Sequence, residues 1–296
     1  MGKVAFLFSG QGAQHKGMGM EFYHADDWVK QMMDRAEAFR PGTLEQMQNG
    51  DDETLKQTEN TQPCLYLADL AAAMYLQNQG LQPDMVAGFS LGEIPALAFA
   101  GAYDAQTGFE LVCKRGQLMG AASKNVDAGM AAILKLDDET VREVCGQFEQ
   151  VYPVNYNCPG QVSAAMLKEH MNAVADTVKA KGGRLLPLKV SGGFHSPFMD
   201  QAAAEFAKVI PEYSPLTMPV YANYTGEVYT GSELQYQMNH PVLWEKTIRN
   251  MAAAGVDTFI EVGAGTVLQK LVNKILPEAK AYAVETVAGA QEVLGC

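Results

Sequence analysis

Short apolar runs recur along the chain, each broken by a glycine-bearing turn and followed by a longer amphipathic or alanine-rich stretch. The first, residues 4–8, is Val-Ala-Phe-Leu-Phe and stops at Ser9-Gly10-Gln11-Gly12, as a buried strand entering a loop would. Residues 26–58 are polar with helical spacing and turn at Arg40-Pro41-Gly42. Asn60-Thr61-Gln62-Pro63 supplies a cap and a proline for a helix start, and 64–78 continues as an Ala/Leu-rich buried helix. A second apolar run at 85–87 leads to a helix at 96–100 that Gly101 can end, with another helix over 105–122. Strands alternating with helices predict an α/β fold whose mostly parallel sheet is covered on both faces.

The texture changes near Val126. The pattern predicts a strand at 130–134, a helix at 137–150, strands at 151–155 and 161–165, a helix at 168–181 and a strand at 184–190. Strand-helix-strand-strand-helix-strand is the split βαβ, ferredoxin-like order. The expected organisation is therefore a large unit, 1–125 and 191–296, carrying a small inserted unit, 126–190. In the returning part, helices are expected at 199–210, 244–254 and 267–275. A strand and turn fall at 219–226, a strand at 258–262 ends in Gly263-Ala264-Gly265, and 281–284 reads as an edge strand.

Composition narrows the class. With 48% apolar and 19% charged residues, the 296-residue chain can bury a large core, and no apolar run reaches membrane-spanning length. The opening run is too short for the core of a signal peptide. Five cysteines, an odd number without a Cys-x-x-Cys pair, are expected as reduced thiols in a cytoplasmic protein. A net charge of -12 argues against nucleic acid as a partner, and an acidic protein partner would need a local basic patch. No metal or cofactor is expected.

The chemistry centres on Gly88-Phe89-Ser90-Leu91-Gly92, set between the 85–87 strand and the helix that follows. Strand, Gly-x-Ser-x-Gly and helix in that order describe a nucleophile elbow. Both glycines are needed because strand and helix pass too close for a Cβ. Ser90 is then presented at a helix N-terminus, where the Leu91 N–H and the helix dipole favour an oxyanion. A serine nucleophile needs a base. Of five histidines, His195 in Ser191-Gly192-Gly193-Phe194-His195-Ser196 is favoured, because it lies in a glycine-rich loop at a domain boundary. His15, in the other glycine-rich loop, is the runner-up; His24, His170 and His240 have weaker settings. Arg115, in an otherwise apolar helix, is either a surface residue or a carboxylate clamp.

Taken together, the chain resembles the malonyl-CoA:acyl-carrier-protein transacylases of fatty-acid synthesis. The likeness runs end to end through Gly10-Gln11-Gly12, Asn60-Thr61-Gln62-Pro63, Gly88-Phe89-Ser90-Leu91-Gly92-Glu93 and Lys114-Arg115-Gly116. It continues through Gly129-Met130-Ala131-Ala132, Asn157-Cys158-Pro159-Gly160-Gln161, Gly193-Phe194-His195-Ser196, Pro241-Val242-Leu243-Trp244 and Glu261-Val262-Gly263-Ala264-Gly265. The resemblance implies an α/β-hydrolase-like large domain with a ferredoxin-like insert. It implies ping-pong transfer from malonyl-CoA to the phosphopantetheine thiol of acyl carrier protein, with Ser90 as nucleophile and His195 as general base. It further implies backbone N–H donors at Gln11 and Leu91, a histidine-orienting carbonyl at Gln237 and a carboxylate-binding guanidinium at Arg115. Asn155 and Asn157 would line the thioester channel. Phe194 beside the acyl α-carbon would disfavour a branched methyl.

Two positions depart from the family pattern: Phe89, where histidine is usual, and Val162-Ser163-Ala164-Ala165-Met166, which lacks the common Ser-Gly ending. Alternatives on the same fold are a polyketide or malonate-decarboxylase acyltransferase, or a thioester hydrolase with Asp200 as its acid. A non-catalytic carrier-binding module is a third class. For an acidic carrier, the candidate docking cations are Lys181, Arg184, Lys189, Lys270 and Lys274.

Overall fold

In the computed structural model, which describes residues 2–295, nine strands build two sheets among the described residues. In chain order they are β1 (Lys3–Phe8), β2 (Met85–Gly88), β3 (Ala128–Leu134), β4 (Val151–Cys158), β5 (Gln161–Leu167), β6 (Arg184–Pro187), β7 (Val220–Tyr221), β8 (Val256–Val262) and β9 (Lys280–Val284). The first sheet has the order β7-β2-β1-β8-β9, and every adjacent pair is parallel. Phe6 of β1 lies between Val86 and Ile260, so the strand expected at 4–8 is central and β9 forms an edge.

The alternation along β1 divides the interior. Phe6 and Phe8 enter one core with Leu97, Phe109 and the helix Thr58–Asn78; Ala5 and Leu7 enter another with Met85, Trp244, Phe259 and Leu271. Successive strand side chains point to opposite faces, and a strand apolar on both must be covered on both. Thr58–Asn78 is buried along nearly its whole length and packs against the helix Ala105–Asn125.

The second sheet is antiparallel, in the order β4-β5-β3-β6. Its core includes Ala131, Ile133, Val162 and Ala164, packed beneath the helices Asp138–Cys145 and Met171–Ala180. It meets the rest of the protein along β4, where the Val242 N–H donates to the Val154 carbonyl at 2.8 Å and the Tyr156 N–H to the Val242 carbonyl at 2.9 Å.

Several boundaries differ from expectation. The helix expected to begin at Asn60 to Pro63 begins at Thr58, with Pro63 inside it. Proline cannot donate to the Glu59 carbonyl; Arg40 Nη2 donates to it instead, at 3.5 Å, and also to Asn60 Oδ1 at 2.7 Å. The helix expected over 137–150 ends at Cys145, and the one over 199–210 covers Asp200–Ala207. The strand expected over 184–190 stops at Pro187. Helices Met20–Ala25 and Val287–Leu294 have no counterpart among the expected elements. Cys64, Cys113, Cys145 and Cys158 are buried free thiols, while Cys296 lies outside the described residues. Among the described residues no helix is long and apolar enough to cross a membrane.

Candidate active site

β2 ends at Gly88, a short 3-10 turn spans Ser90–Gly92, and the helix Glu93–Phe99 follows. A Cβ on Gly88 would overlap the Gly92 carbonyl, and one on Gly92 would overlap the Phe8 and Ser9 carbonyls. The elbow therefore closes only with glycine at both positions. Ser90 sits in the left-handed region at φ 54°, a strained setting for a non-glycine residue. Asn223 holds it there: its Oδ1 accepts from the Ser90 N–H at 2.7 Å, and its Nδ2 donates to the Gly88 carbonyl at 2.6 Å.

His195 arrives from a loop 105 positions downstream and is also left-handed, at φ 60°. Its N–H donates to the Met238 carbonyl at 3.0 Å. Ser90 Oγ lies 2.7 Å from Nε2, and Nδ1 lies 2.8 Å from the Gln237 carbonyl. A carbonyl only accepts, so Nδ1 carries the proton and Nε2 presents a lone pair to the hydroxyl. Burial, and then the nearby Arg115 charge, lowers the imidazole pKa to about 4, which keeps the ring neutral at pH 7.

Arg115 is fully buried, which removes the surface alternative. Nη2 donates to Ser90 Oγ at 3.1 Å, Nη1 to Gln62 Oε1 at 2.9 Å, and Nε and Nη2 to Gln237 Oε1 at 3.2 and 2.7 Å. Burial lowers its pKa to about 10, so it remains cationic at pH 7. The next carboxylate is Glu93, reached through the Gln237 amide, whose Nε2 donates to Glu93 Oε2 at 2.7 Å and to the Ser90 carbonyl at 2.5 Å. Glu93 Oε1 accepts from the Tyr229 hydroxyl at 2.5 Å and the Asn223 N–H at 3.2 Å. Burial raises the Glu93 pKa to about 7.

Three of the remaining expected residues, Gln11, Asn155 and Asn157, line a neighbouring cavity of 210 Å³ together with Phe89 and Glu261. Asn155 Oδ1 and Asn157 Oδ1 are buried there without a hydrogen-bond partner, and Asn157 Nδ2 donates to Ser163 Oγ at 3.3 Å. Phe89 bridges the two clusters, since it adjoins Ser90 in the chain and meets Trp244 edge-on at 5.3 Å. The Leu91 side chain is buried, and Gln11 Nε2 donates to Thr58 Oγ1 at 3.4 Å. Phe194 is buried in the main core and does not line this cavity.

The competing candidates lie elsewhere. His15 Nε2 pairs with Glu285 at 2.7 Å, and His240 Nδ1 lies 2.9 Å from the Tyr236 carbonyl. Asp200 accepts from Asn239 Nδ2 at 2.9 Å, while the His195 Nδ1 position belongs to the Gln237 carbonyl. Sequence reasoning missed the side-chain roles of Gln62, Glu93, Asn223 and Gln237. The signal that could have found them was polarity where none is expected, as with a glutamate opening the apolar stretch Glu93-Ile94-Pro95-Ala96-Leu97.

An acyl transferase domain family model matches residues 5–292. The malonyl CoA-acyl carrier protein transacylase of Bacillus subtilis (strain 168) is 36% identical, over 96% of this chain and 94% of that protein. The chain belongs to the malonyl CoA-acyl carrier protein transacylase family. Among solved structures, the transacylase of Clostridium perfringens superposes on this acyltransferase with a TM-score of 0.95 at 32% identity, covering 99% of this chain and 96% of that one. A malonyl-transacylase in complex with a type II PKS acyl-carrier protein gives 0.94 at 34% identity, covering 99% of each chain.

Proposed function

We propose that this acyltransferase moves a malonyl group from malonyl-CoA to the phosphopantetheine thiol of an acyl carrier protein through a malonyl-Ser90 ester. The observation that carries the reading is the convergence on one hydroxyl. Ser90 Oγ faces a neutral imidazole nitrogen at 2.7 Å and a buried guanidinium nitrogen at 3.1 Å. In the first half-reaction, His195 Nε2 takes the Ser90 proton as Oγ attacks the thioester carbonyl. The C–S bond breaks, and the departing coenzyme A sulfur takes the proton from Nε2. In the second, the carrier thiol gives its proton to Nε2 and attacks the ester; the C–O bond breaks and the proton returns to Ser90. The Gln11 and Leu91 N–H groups stabilise the oxyanion, each worth roughly 3 kcal/mol of barrier.

Arg115 receives the malonyl carboxylate, whose burial would be costly without a fixed cation. Asn155 and Asn157, with unpartnered carbonyl oxygens at the neighbouring cavity, offer acceptors to the amide groups of the pantetheine arm. Phe194 disfavours a branched acyl group. No cofactor is assigned, since malonyl-CoA is a substrate and Ser90 with His195 accounts for every bond change. We place the reaction in the cytoplasm and in fatty-acid synthesis. We read 1–125 and 191–296 as an α/β-hydrolase-like unit with a ferredoxin-like insert at 126–190. Supporting that division, β3 to β6 pair only with one another in the sheets and follow the expected strand and helix order.

Incubation with malonyl-CoA followed by intact-mass analysis tests the reading. The wild type should gain one malonyl group and pass it to a carrier protein, and Ser90→Ala should gain none. An adduct that persists in Ser90→Ala would reject Ser90 as the acyl acceptor.

A further inference from the structure

Gln237 touches the nucleophile, the base and the buried guanidinium. Its backbone carbonyl faces His195 Nδ1 at 2.8 Å, its Oε1 receives Arg115 Nη2 at 2.7 Å, and its Nε2 donates to the Ser90 carbonyl at 2.5 Å. A primary amide can be turned end for end with little change in shape, so something must decide which end faces Arg115. Arg115 has only donors to offer. Glu93 Oε2, at 2.7 Å on the other side, has only acceptor capacity while ionised. All three side chains are buried, so water is not available to correct a misplaced amide.

We propose that Glu93 is a positioning residue: by accepting from Gln237 Nε2 alongside the Ser90 carbonyl it fixes the place of that amide, and so holds Arg115 and the His195-orienting carbonyl in one unit. This inference rests on the malonyl-transfer reading for its substrate, but its geometry does not depend on the acyl group.

The consequence of Glu93→Gln follows from counting donors. Glu93 Oε1 already serves two donors, the Tyr229 hydroxyl and the Asn223 N–H. Because the Asn223 N–H can only donate, a glutamine at this position keeps its single oxygen on that side, which turns its NH2 toward the NH2 of Gln237. Donor then faces donor. Reversing the Gln237 amide would only set its NH2 against Arg115 and its oxygen against the Ser90 carbonyl, so the amide instead shifts away from position 93 and carries with it the acceptor shared by Nε and Nη2. The guanidinium loses its anchor although no catalytic atom has been removed and side-chain size is unchanged.

A double-mutant cycle with Glu93→Gln and Gln237→Met tests this, because the methionine substitution keeps the main-chain carbonyl and deletes the amide. Two rates are read for each protein: formation of malonyl-Ser90 from malonyl-CoA, and labelling of Ser90 by a neutral fluorophosphonate. Each single variant should slow malonyl loading roughly 10- to 100-fold, the range expected for losing a charge-assisted hydrogen bond. Labelling should slow about fivefold. The double variant should be no slower than Gln237→Met alone, because Glu93 acts only through the amide.

Losses that multiply would show that Glu93 acts by another route and would overturn the proposal, as would an unimpaired Glu93→Gln. Should Glu93→Gln fail to fold, Gln237→Glu reads the same contact from the other side. A carboxylate facing Glu93 should impair malonyl loading and labelling more than Gln237→Met, and an equal effect would overturn the proposal. Wild-type protein that takes the fluorophosphonate but not malonyl would instead reject the malonyl reading, with the labelling cycle still deciding the role of Glu93.

Discussion

Replacing Arg115 by methionine is the most discriminating perturbation of the site. Methionine fills much of the same volume and keeps the helix, so the change is chiefly the loss of a buried cation. If Arg115 holds the malonyl carboxylate, that group enters a buried site without its partner. Stranding one member of a buried charge pair costs about 3–5 kcal/mol. At about 1.4 kcal/mol per tenfold, malonyl loading should fall roughly 10²- to 10⁴-fold. An acetyl group has no carboxylate and forfeits only the Nη2 bond to Ser90 Oγ at 3.1 Å, worth about 1 kcal/mol or roughly a fivefold loss. Removing the guanidinium also leaves the Gln62 and Gln237 Oε1 atoms short of a donor, a cost that falls on both substrates. The malonyl-to-acetyl ratio of coenzyme A release, measured by rapid quench, cancels that shared cost. Arg115→Lys should fall between the two proteins, since it restores the charge without the two-pronged geometry. Equal losses for malonyl and acetyl would remove Arg115 from the carboxylate role.

Three further outcomes follow from the same geometry. His195 is held at about 4, below its usual 6.5, so its base form persists as pH falls and the acid limb of acetyl loading should lie near pH 4. Arg115→Met removes one cause of that depression and should move the limb upward; a wild-type limb at pH 6.5 that persists in Glu93→Gln, and so is not the titration of Glu93, would refute the buried-imidazole account. Gly92→Ala drives a Cβ into the Phe8 and Ser9 carbonyls, backbone that the sheet prevents from yielding, and should cost about 3 kcal/mol in urea unfolding. An unmoved midpoint would mean that the elbow is looser than its contacts imply. Reversing Lys189 and Lys270, exposed cations on a chain of net charge -12, should weaken binding of an acidic carrier and flatten its salt dependence. Unchanged affinity at low salt would place the carrier on another face.

What the sequence disclosed and what it withheld divide along a physical line. The β1 strand and the elbow were legible because their signals are local: an apolar run, a glycine at each close approach, and a helix immediately after. Two glycine-rich loops offered His15 and His195, and choosing between them rested on domain placement, since nothing local states a distance of 2.7 Å across 105 positions. The start of Thr58–Asn78 is not legible locally because Arg40, which satisfies the carbonyl that Pro63 abandons, comes from a different helical segment. Glu93 stands in the sequence as part of a motif without a task, because its partners lie 130 to 144 positions away. Polar residues whose meaning is a long-range partner leave only their unexpected polarity as a trace.

That long-range dependence also explains how the site tolerates its own strain. Ser90 and His195 each occupy the left-handed region, a placement costing on the order of 1–3 kcal/mol apiece when nothing supports it. Both supports come from one stretch of chain. Asn223 binds the Ser90 N–H and the Gly88 carbonyl, while the Met238 and Gln237 carbonyls receive the His195 N–H and face Nδ1. Between them, Tyr229 reaches Glu93, the residue that opens the helix after the elbow. The segment from 223 to 238 therefore braces nucleophile and base from the same side and sets their separation. Were each strained residue supported from a different direction, relaxation of either loop would change the Ser90–His195 distance independently. With a common brace, the two strained loops are referenced to one another, and the 2.7 Å hydrogen bond between hydroxyl and imidazole is held by the segment both loops lean on.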